Sequence, residues 1–280
     1  PQGERVHKLI LEAHDYCVEN GLDPKGLRGV KIDIKAAFRT LCTNPADYWA
    51  LCFRITGKSA FHKRWPFGLT ASVYFFLRLP LLIITYLVTK TDFEARGTKA
   101  AMYFDDLITI AHESRMEWSV KVVMDLFERW KIPRQEKKFL EDNPNGAKGC
   151  VELTILGLLY HLANLTVGIP RPRVSEVVEE MEAFMKTNRR KLKEWESTIG
   201  VINWAATAVP QLRMYLTSSW RMIKTIKREK ERKGHNKKWK IDTNPNVRIS
   251  DDTRHDWKEI AYQLKHWNGT QKILKTEWEE

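Results

Sequence analysis

Ala100-Ala101-Met102-Tyr103-Phe104-Asp105-Asp106-Leu107-Ile108 sets two adjacent carboxylates between two apolar runs, with an aromatic pair just before them. Apolar–turn–apolar is the pattern of a tight β-hairpin. Two acids at a hairpin tip lie close together, and like charges that close resist joint ionisation unless a cation shares them. Mg²⁺ suits that role, because it takes oxygen ligands and binds through one or two carboxylates plus substrate phosphates. The chemistry that follows is phosphoryl or nucleotidyl transfer. Asp-Asp also arises by chance in a chain with 35 acids among 280 residues, and Asp251-Asp252 is a second pair. That pair follows Ser250 and precedes an amphipathic stretch (Trp257, Ile260, Ala261, Leu264), so it reads as the capped, dipole-matched start of a helix.

The length allows one sizeable core or two smaller ones. A content of 43% hydrophobic and 11% aromatic residues excludes a disordered chain. Forty-seven Lys and Arg against 35 Asp and Glu leave a net charge of +12, which favours a polyanionic partner, nucleic acid or an anionic membrane surface. Cys17, Cys42, Cys52 and Cys150 show no CxxC spacing, and the eight histidines show no paired ligand spacing. Neither a zinc site nor a disulfide framework is expected, which suits a reducing intracellular compartment, cytoplasmic or nuclear. No signal-peptide pattern opens the chain, so secretion is not expected. The most apolar run, residues 73–88, contains Arg78 and Pro80 and is shorter than a membrane span. A buried helix is expected there, and no membrane partner.

Residues 6–18 have helical periodicity, and Val30-Lys31-Ile32-Asp33-Ile34 alternates as a strand that leads into a turn or helix over 35–38. Residues 48–65 read as a hairpin around Gly57-Lys58. A long apolar helix is expected from Pro66-Phe67-Gly68-Leu69 towards Gly97, another helix over 116–130, and short strands over 153–161 and 165–169. From Pro172 the pattern is almost entirely helical, with apolar stripes at Val174, Val177, Val178, Met181 and Phe184 and then at Ile199, Ile202, Ala205 and Ala206. The shift near Pro170-Arg171-Pro172 divides the chain into domains over 1–170 and 171–280. Ten Lys or Arg between Arg221 and Lys240, interleaved with Trp239, read either as a solvated face or as a track for a phosphate backbone.

The order of these segments resembles that of reverse transcriptases. Asp33-Ile34-Lys35-Ala36-Ala37-Phe38 resembles motif A, Trp65-Pro66-Phe67-Gly68-Leu69-Thr70 motif B, and Tyr103-Phe104-Asp105-Asp106 the Tyr-x-Asp-Asp of motif C. Glu136-Lys137 is similar to the lysine of motif D, and Ile155-Leu156-Gly157-Leu158 to the Leu-Gly of motif E, the primer grip. Ile199-Gly200-Val201-Ile202-Asn203-Trp204, Val209-Pro210, Arg213, Trp257 and His266-Trp267-Asn268-Gly269 resemble the thumb and connection of DIRS-type (tyrosine-recombinase) retrotransposon polyproteins. The resemblance spans residues 5–270 and is strongest over 28–170.

An α+β fold is implied: a right-hand polymerase palm, with an antiparallel sheet backed by helices and partial fingers, then an all-helical thumb and connection. The implied activity is RNA-directed DNA polymerase, adding dNTPs to a primer 3′ end. By resemblance Asp33, Asp105 and Asp106 would hold two Mg²⁺ ions, with Mn²⁺ as a substitute, and Lys137 would protonate the pyrophosphate. Phe38 would sit beneath the sugar and exclude a 2′-hydroxyl, with Phe67, Gly68 and Tyr103 also at the nucleotide, while Leu156 and Gly157 would hold the primer. The implied partners are an RNA template, a DNA primer or RNA–DNA hybrid, and dNTPs, with a ribonuclease H domain in a longer polyprotein. Val73 stands where the family usually has proline, and the basic fingers strands have no clear counterpart before Asp33, so a fragment or a degraded element is expected. An RNA-dependent RNA polymerase and a non-enzymatic nucleic-acid-binding descendant stay open at this point.

Overall fold

In the computed structural model, which describes residues 2–234, 244–267 and 269–273, the chain separates into two compact units. Among the described residues the first comprises 2–155, 160–165 and 273, and the second 156–159 with the described part of 166–272.

The first unit opens with α1 (Gln2–Glu19), whose Val6, Leu9, Ile10, Ala13 and Cys17 are buried at helical spacing. Next come β1 (Leu27–Asp33) and a hairpin, β2 (Cys52–Ile55) and β3 (Lys58–Phe61), which turns through Thr56-Gly57 with both residues at positive φ. After α2 (Thr70–Phe76) and α3 (Arg78–Lys90), β4 (Lys99–Tyr103) turns through two residues into β5 (Asp106–His112). α4 (Glu113–Arg129) and α5 (Glu136–Asp142) follow. β1, β5 and β4 form an antiparallel sheet in that order.

Period-two alternation sorts the sheet into two faces. Val30, Ile32, Leu107 and Ala111 join Phe76, Ile83 and Leu87 from α2 and α3, and Met116, Val120, Val123 and Phe127 from α4, in one core, with Ala100 and Met102 packed against it. The alternate positions, Lys31 and Asp33 on β1, Asp106 and Ile108 on β5 and Tyr103 on β4, fall on the other face. The core therefore fixes which way the acids point.

The apolar run at 73–88 is not the wholly buried helix expected from its composition. Leu77 separates α2 from α3, and the helix ends at Lys90 rather than near Gly97. Phe76, Ile83 and Leu87 are fully buried, but Tyr74, Leu81 and Leu82 are exposed. One stripe of a helix covers a three-stranded sheet, so the remaining apolar side chains fall on the opposite face. There the Arg78 guanidinium lies 5.4 Å from the Tyr74 ring and 5.1 Å from the Phe75 ring. By length and composition alone, Thr70–Lys90 is also sufficient to cross a membrane. Residues 153–161, expected as one strand, are two, β6 (Glu152–Ile155) and β7 (Leu158–His161), because Leu156 (φ +52) and Gly157 (φ +80) turn the chain between them.

The second unit contains β8 (Thr166–Gly168), α6 (Arg171–Met185), β9 (Arg189–Lys191), α7 (Leu192–Ala205), α8 (Thr217–Gly234), β10 (Asn246–Arg248), α9 (Asp251–His266) and β11 (Gln271–Lys272). Its centre is aromatic. The Phe184 ring lies 5.0 Å from Trp195 and 4.8 Å from Trp257, and the two indoles are 5.3 Å apart, within the range of favourable ring pairs. The unit is not all-helical: β9 pairs with β10 and β8 with β11. β8 lies within the strand expected over 165–169, whereas β9, β10 and β11, of two or three residues each, are too short for alternation to mark them, so only their distant partners define them. Ser250 caps α9, accepting from the Thr253 N–H at 3.2 Å, with Asp251 and Asp252 in the first turn, as the sequence predicts. Arg221, Lys224, Lys227 and Arg228 lie on α8, and Lys227 pairs with Glu196 at 2.9 Å. The basic run from Lys230 to Lys240, Trp239 included, lies outside the residues whose side chains are described.

Candidate functional site

The register places Asp33 directly opposite Asp106, and Tyr103 opposite Asp106 on its other side. The Ile34 N–H donates to the Asp105 carbonyl at 2.9 Å. That bond flanks the Asp33–Asp106 position and makes it a non-hydrogen-bonded pair, the kind whose side chains approach most closely. Phe104 and Asp105 alone form the turn, and Phe104 adopts φ +51, a sparsely populated region for a side chain of its size. Its ring packs against the sheet's core and stands edge-on to Tyr103 at 4.9 Å, which holds the turn in place.

Two lysines meet the acids. Lys138 Nζ donates to Asp33 Oδ1 and lies 3.6 Å from Asp106 Oδ1. Lys31 Nζ lies 3.3 Å from Asp106 Oδ2 and 3.7 Å from Asp142 Oδ2. Asp33 is only 6% exposed. Burial pushes the Asp106 carboxyl up, and the nearby charges of Lys31 and Lys138 only partly offset it, while Asp33 adds to the upward shift. Burial works against the Lys138 ammonium too, but its hydrogen bond to Asp33 and the charges of Asp106, Asp33 and Asp142 outweigh that and raise it.

The outer edge of β1 is stitched to the segment that carries Lys138. Gly29 exchanges two 2.9 Å backbone bonds with Cys150, the Gln135 N–H donates to the Asp33 carbonyl at 3.1 Å, and the Lys35 N–H to the Pro133 carbonyl at 2.8 Å. Between them the buried Asn143 side chain acts as a substitute strand. Its Oδ1 accepts from the Lys31 N–H at 3.0 Å, and its Nδ2 donates to the Lys31 and Phe139 carbonyls at 2.7 and 2.8 Å. This stitching sets the phase of α5. Lys138 faces the acids and Asp142, one turn on, faces Lys31, whereas Lys137 is exposed and pairs with Glu141 at 3.7 Å. Asn143→Ala would orphan the Lys31 N–H and C=O, and is expected to cost about 2–3 kcal/mol in a urea-unfolding measurement.

Of the residues singled out from sequence, the fold thus brings Asp33 and Asp106 together with Tyr103 beside them, and puts Asp105 in the adjoining turn. Phe38, in a 3₁₀ turn over Ala37–Thr40, stands edge-on to Phe67 at 5.2 Å and to the buried Phe76 at 5.3 Å. Phe67 is 61% exposed, and Gly68 takes φ +85, a conformation other residues rarely adopt. In the second unit the Trp204 Nε1–H donates to the Leu156 carbonyl at 2.9 Å, and a Cβ on Gly157 would meet that indole at 3.2 Å. Lys137 is not brought to the acids. The residues missed were Lys31, Lys138, Asp142 and Asn143; alternation of Lys31 with Asp33 along β1 was the one available signal.

Among the described residues no group of three or more His, Cys, Asp and Glu side chains is arranged to hold a metal. A magnesium site made from one or two carboxylates plus substrate phosphates needs no such cage. Asp33 and Asp106 already share one cation, the Lys138 ammonium, and among the described residues the buried Asp106 Oδ1 has no hydrogen-bond partner. An oxygen-only donor set with an orphaned carboxylate atom fits a hard divalent ion.

No protein-family model and no curated protein matches the chain. Solved structures do. The foamy viral protease-reverse transcriptase in complex with RNA/DNA hybrid aligns with a TM-score of 0.56 at 18% identity, covering 86% of this chain and 27% of that one. The dRH form of that protein in complex with double-stranded DNA gives 0.57 at 18% identity, covering 88% and 36%, and its dsDNA complex 0.55 at 20%, covering 88% and 42%. This chain therefore spans less than half the length of those proteins, and its fold is reverse transcriptase-like.

Proposed function

We propose that this chain is the palm and thumb of an RNA-directed DNA polymerase from a retroelement of the DIRS type, extending a primer 3′ end with dNTPs. The observation that carries the reading is Asp33 set opposite Asp106 at the tip of a two-residue hairpin, in a fold of reverse transcriptase type. Asp33, Asp105 and Asp106 would hold Mg²⁺ ions, which when bound activate the primer hydroxyl and stabilise the attacking and leaving oxygens. Lys138, whose ammonium lies beside the acids, would donate a hydrogen bond to the leaving pyrophosphate. Lys31 offsets the charge of Asp106 from the other side. Phe38, braced by Phe67 and Phe76, would block a 2′-hydroxyl. Phe38→Ala is expected to lower the preference for dNTPs over rNTPs by about tenfold or more, read from single-nucleotide incorporation rates.

Extension of a DNA primer on an RNA template, with dNTPs and separately with rNTPs, tests the proposal. Extension with dNTPs alone supports it, and extension with rNTPs alone points to an RNA polymerase. The lysines that already neutralise the acids favour a second reading, a descendant that binds nucleic acid without turnover. Primer–template binding with no extension in Mg²⁺ or Mn²⁺ would identify that case.

A further inference from the structure

Within the second unit, α6 and α9 border a groove of about 520 Å³. Its floor is apolar, from Met185 and Ala261, and its rim is basic, with Lys186 at the end of α6 and Lys258 and Lys265 on α9. Tyr262 lies one turn from both Lys258 and His266 along α9. Its ring stacks on His266 with centroids 4.1 Å apart and planes 30° apart, yet Tyr262 stays 57% exposed. Glu182, the acid of the groove, is already neutralised by Lys265 at 2.6 Å. Among the described residues Lys186 and Lys258 make no ion pair, so the groove offers two uncommitted ammonium groups around a pre-stacked aromatic ring.

That combination matches one ligand chemistry. An aromatic face held flat by a neighbouring ring accepts an unpaired base, and flanking lysines accept the phosphates on either side of it. In a duplex the base faces are already covered, so a single strand is the form that fits. We propose that the α6–α9 groove binds single-stranded nucleic acid, one base stacking on Tyr262 with its phosphates at Lys186 and Lys258. This assignment does not require the carboxylates of the first unit to catalyse anything.

Binding of a 4-thiouridine-labelled oligouridine, followed by fluorescence anisotropy and by photo-crosslink mapping, tests it. Tyr262→Ala is expected to weaken binding about tenfold and to abolish the crosslink to the α9 peptide, whereas Tyr262→Phe keeps both. Replacing Lys186 and Lys258 together by Ala should reduce the salt slope of binding by about 1.4. Because Tyr262 is exposed, the Ala variant should keep its far-ultraviolet circular dichroism. Asp105→Asn should leave the crosslink intact, so failure here is distinguishable from failure of the polymerase reading. Crosslinks confined to other segments, with unchanged affinity in Tyr262→Ala, would overturn the proposal. So would a concentration-dependent dimer that Tyr262→Ala dissolves without touching oligouridine binding.

Discussion

Asp105→Asn should lower dNTP incorporation about a thousandfold or more, because several kcal/mol of charge stabilisation depend on its negative charge. Primer–template affinity should stay within about twofold, since an isosteric change in a two-residue turn removes no positive contact to a phosphate backbone. The fold should also persist. Among the described residues Asp105 makes no ion pair, and its carbonyl, which the substitution leaves in place, is what accepts the bond from Ile34. Asp106→Asn separates the two roles further. Burial raises the Asp106 carboxyl, so the neutral form is the one the fold favours. Stability from this group is fully present below its ordinary value of 3.8 and is lost as pH rises through the raised value, leaving a net cost at neutral pH. Asp106→Asn is therefore expected to keep or increase urea resistance at neutral pH and to flatten its dependence on mildly acidic pH, while incorporation falls. A loss of stability at neutral pH would show that the lysine contacts outweigh the burial.

Trp257→Ala should cost about 3–5 kcal/mol, the range for truncating a large aromatic in a packed core. Trp257 is fully buried, faces both Phe184 and Trp195, and donates from Nε1 to the Ser219 hydroxyl at 2.9 Å. Ala leaves a cavity where three rings met and removes the partner of a buried hydroxyl. Trp257→Phe keeps most of the ring contact and loses the hydrogen bond, so a smaller loss of about 1–2 kcal/mol is expected. Urea unfolding of the three proteins, followed by circular dichroism, gives both numbers. Equal midpoints for Ala and wild type would mean that this aromatic centre does not carry the unit.

What was legible in the sequence follows the range over which each signal acts. Tyr103-Phe104-Asp105-Asp106 between apolar runs specified a hairpin because turn and strand alternation are local, whereas Asp33 as its distant partner came only from the resemblance of residues 33–38 to motif A of reverse transcriptases. The cap at Ser250, like the hairpin, was readable because its signal is local. The choice between Lys137 and Lys138 was not, because it depends on the phase of α5, which Asn143 and the backbone bonds of Gly29, Asp33 and Lys35 set from the far edge of β1. Nor was the exposure of Leu81 and Leu82. Composition gives the apolarity of a helix, but the width of the sheet beneath it decides how much is covered. The pairing of Arg189–Lys191 with Asn246–Arg248 was equally hidden, since three residues are too few for alternation to mark a strand.

Binding of Mn²⁺, followed by the loss of its free-ion paramagnetic resonance signal, probes the paired acids most directly. Wild-type protein should take up the ion, and Asp33→Asn should weaken uptake by about tenfold or more, since it removes a charged oxygen from a hard-cation site. Uptake that is absent in the wild type, or equal in the two proteins, would contradict a metal site between Asp33 and Asp106.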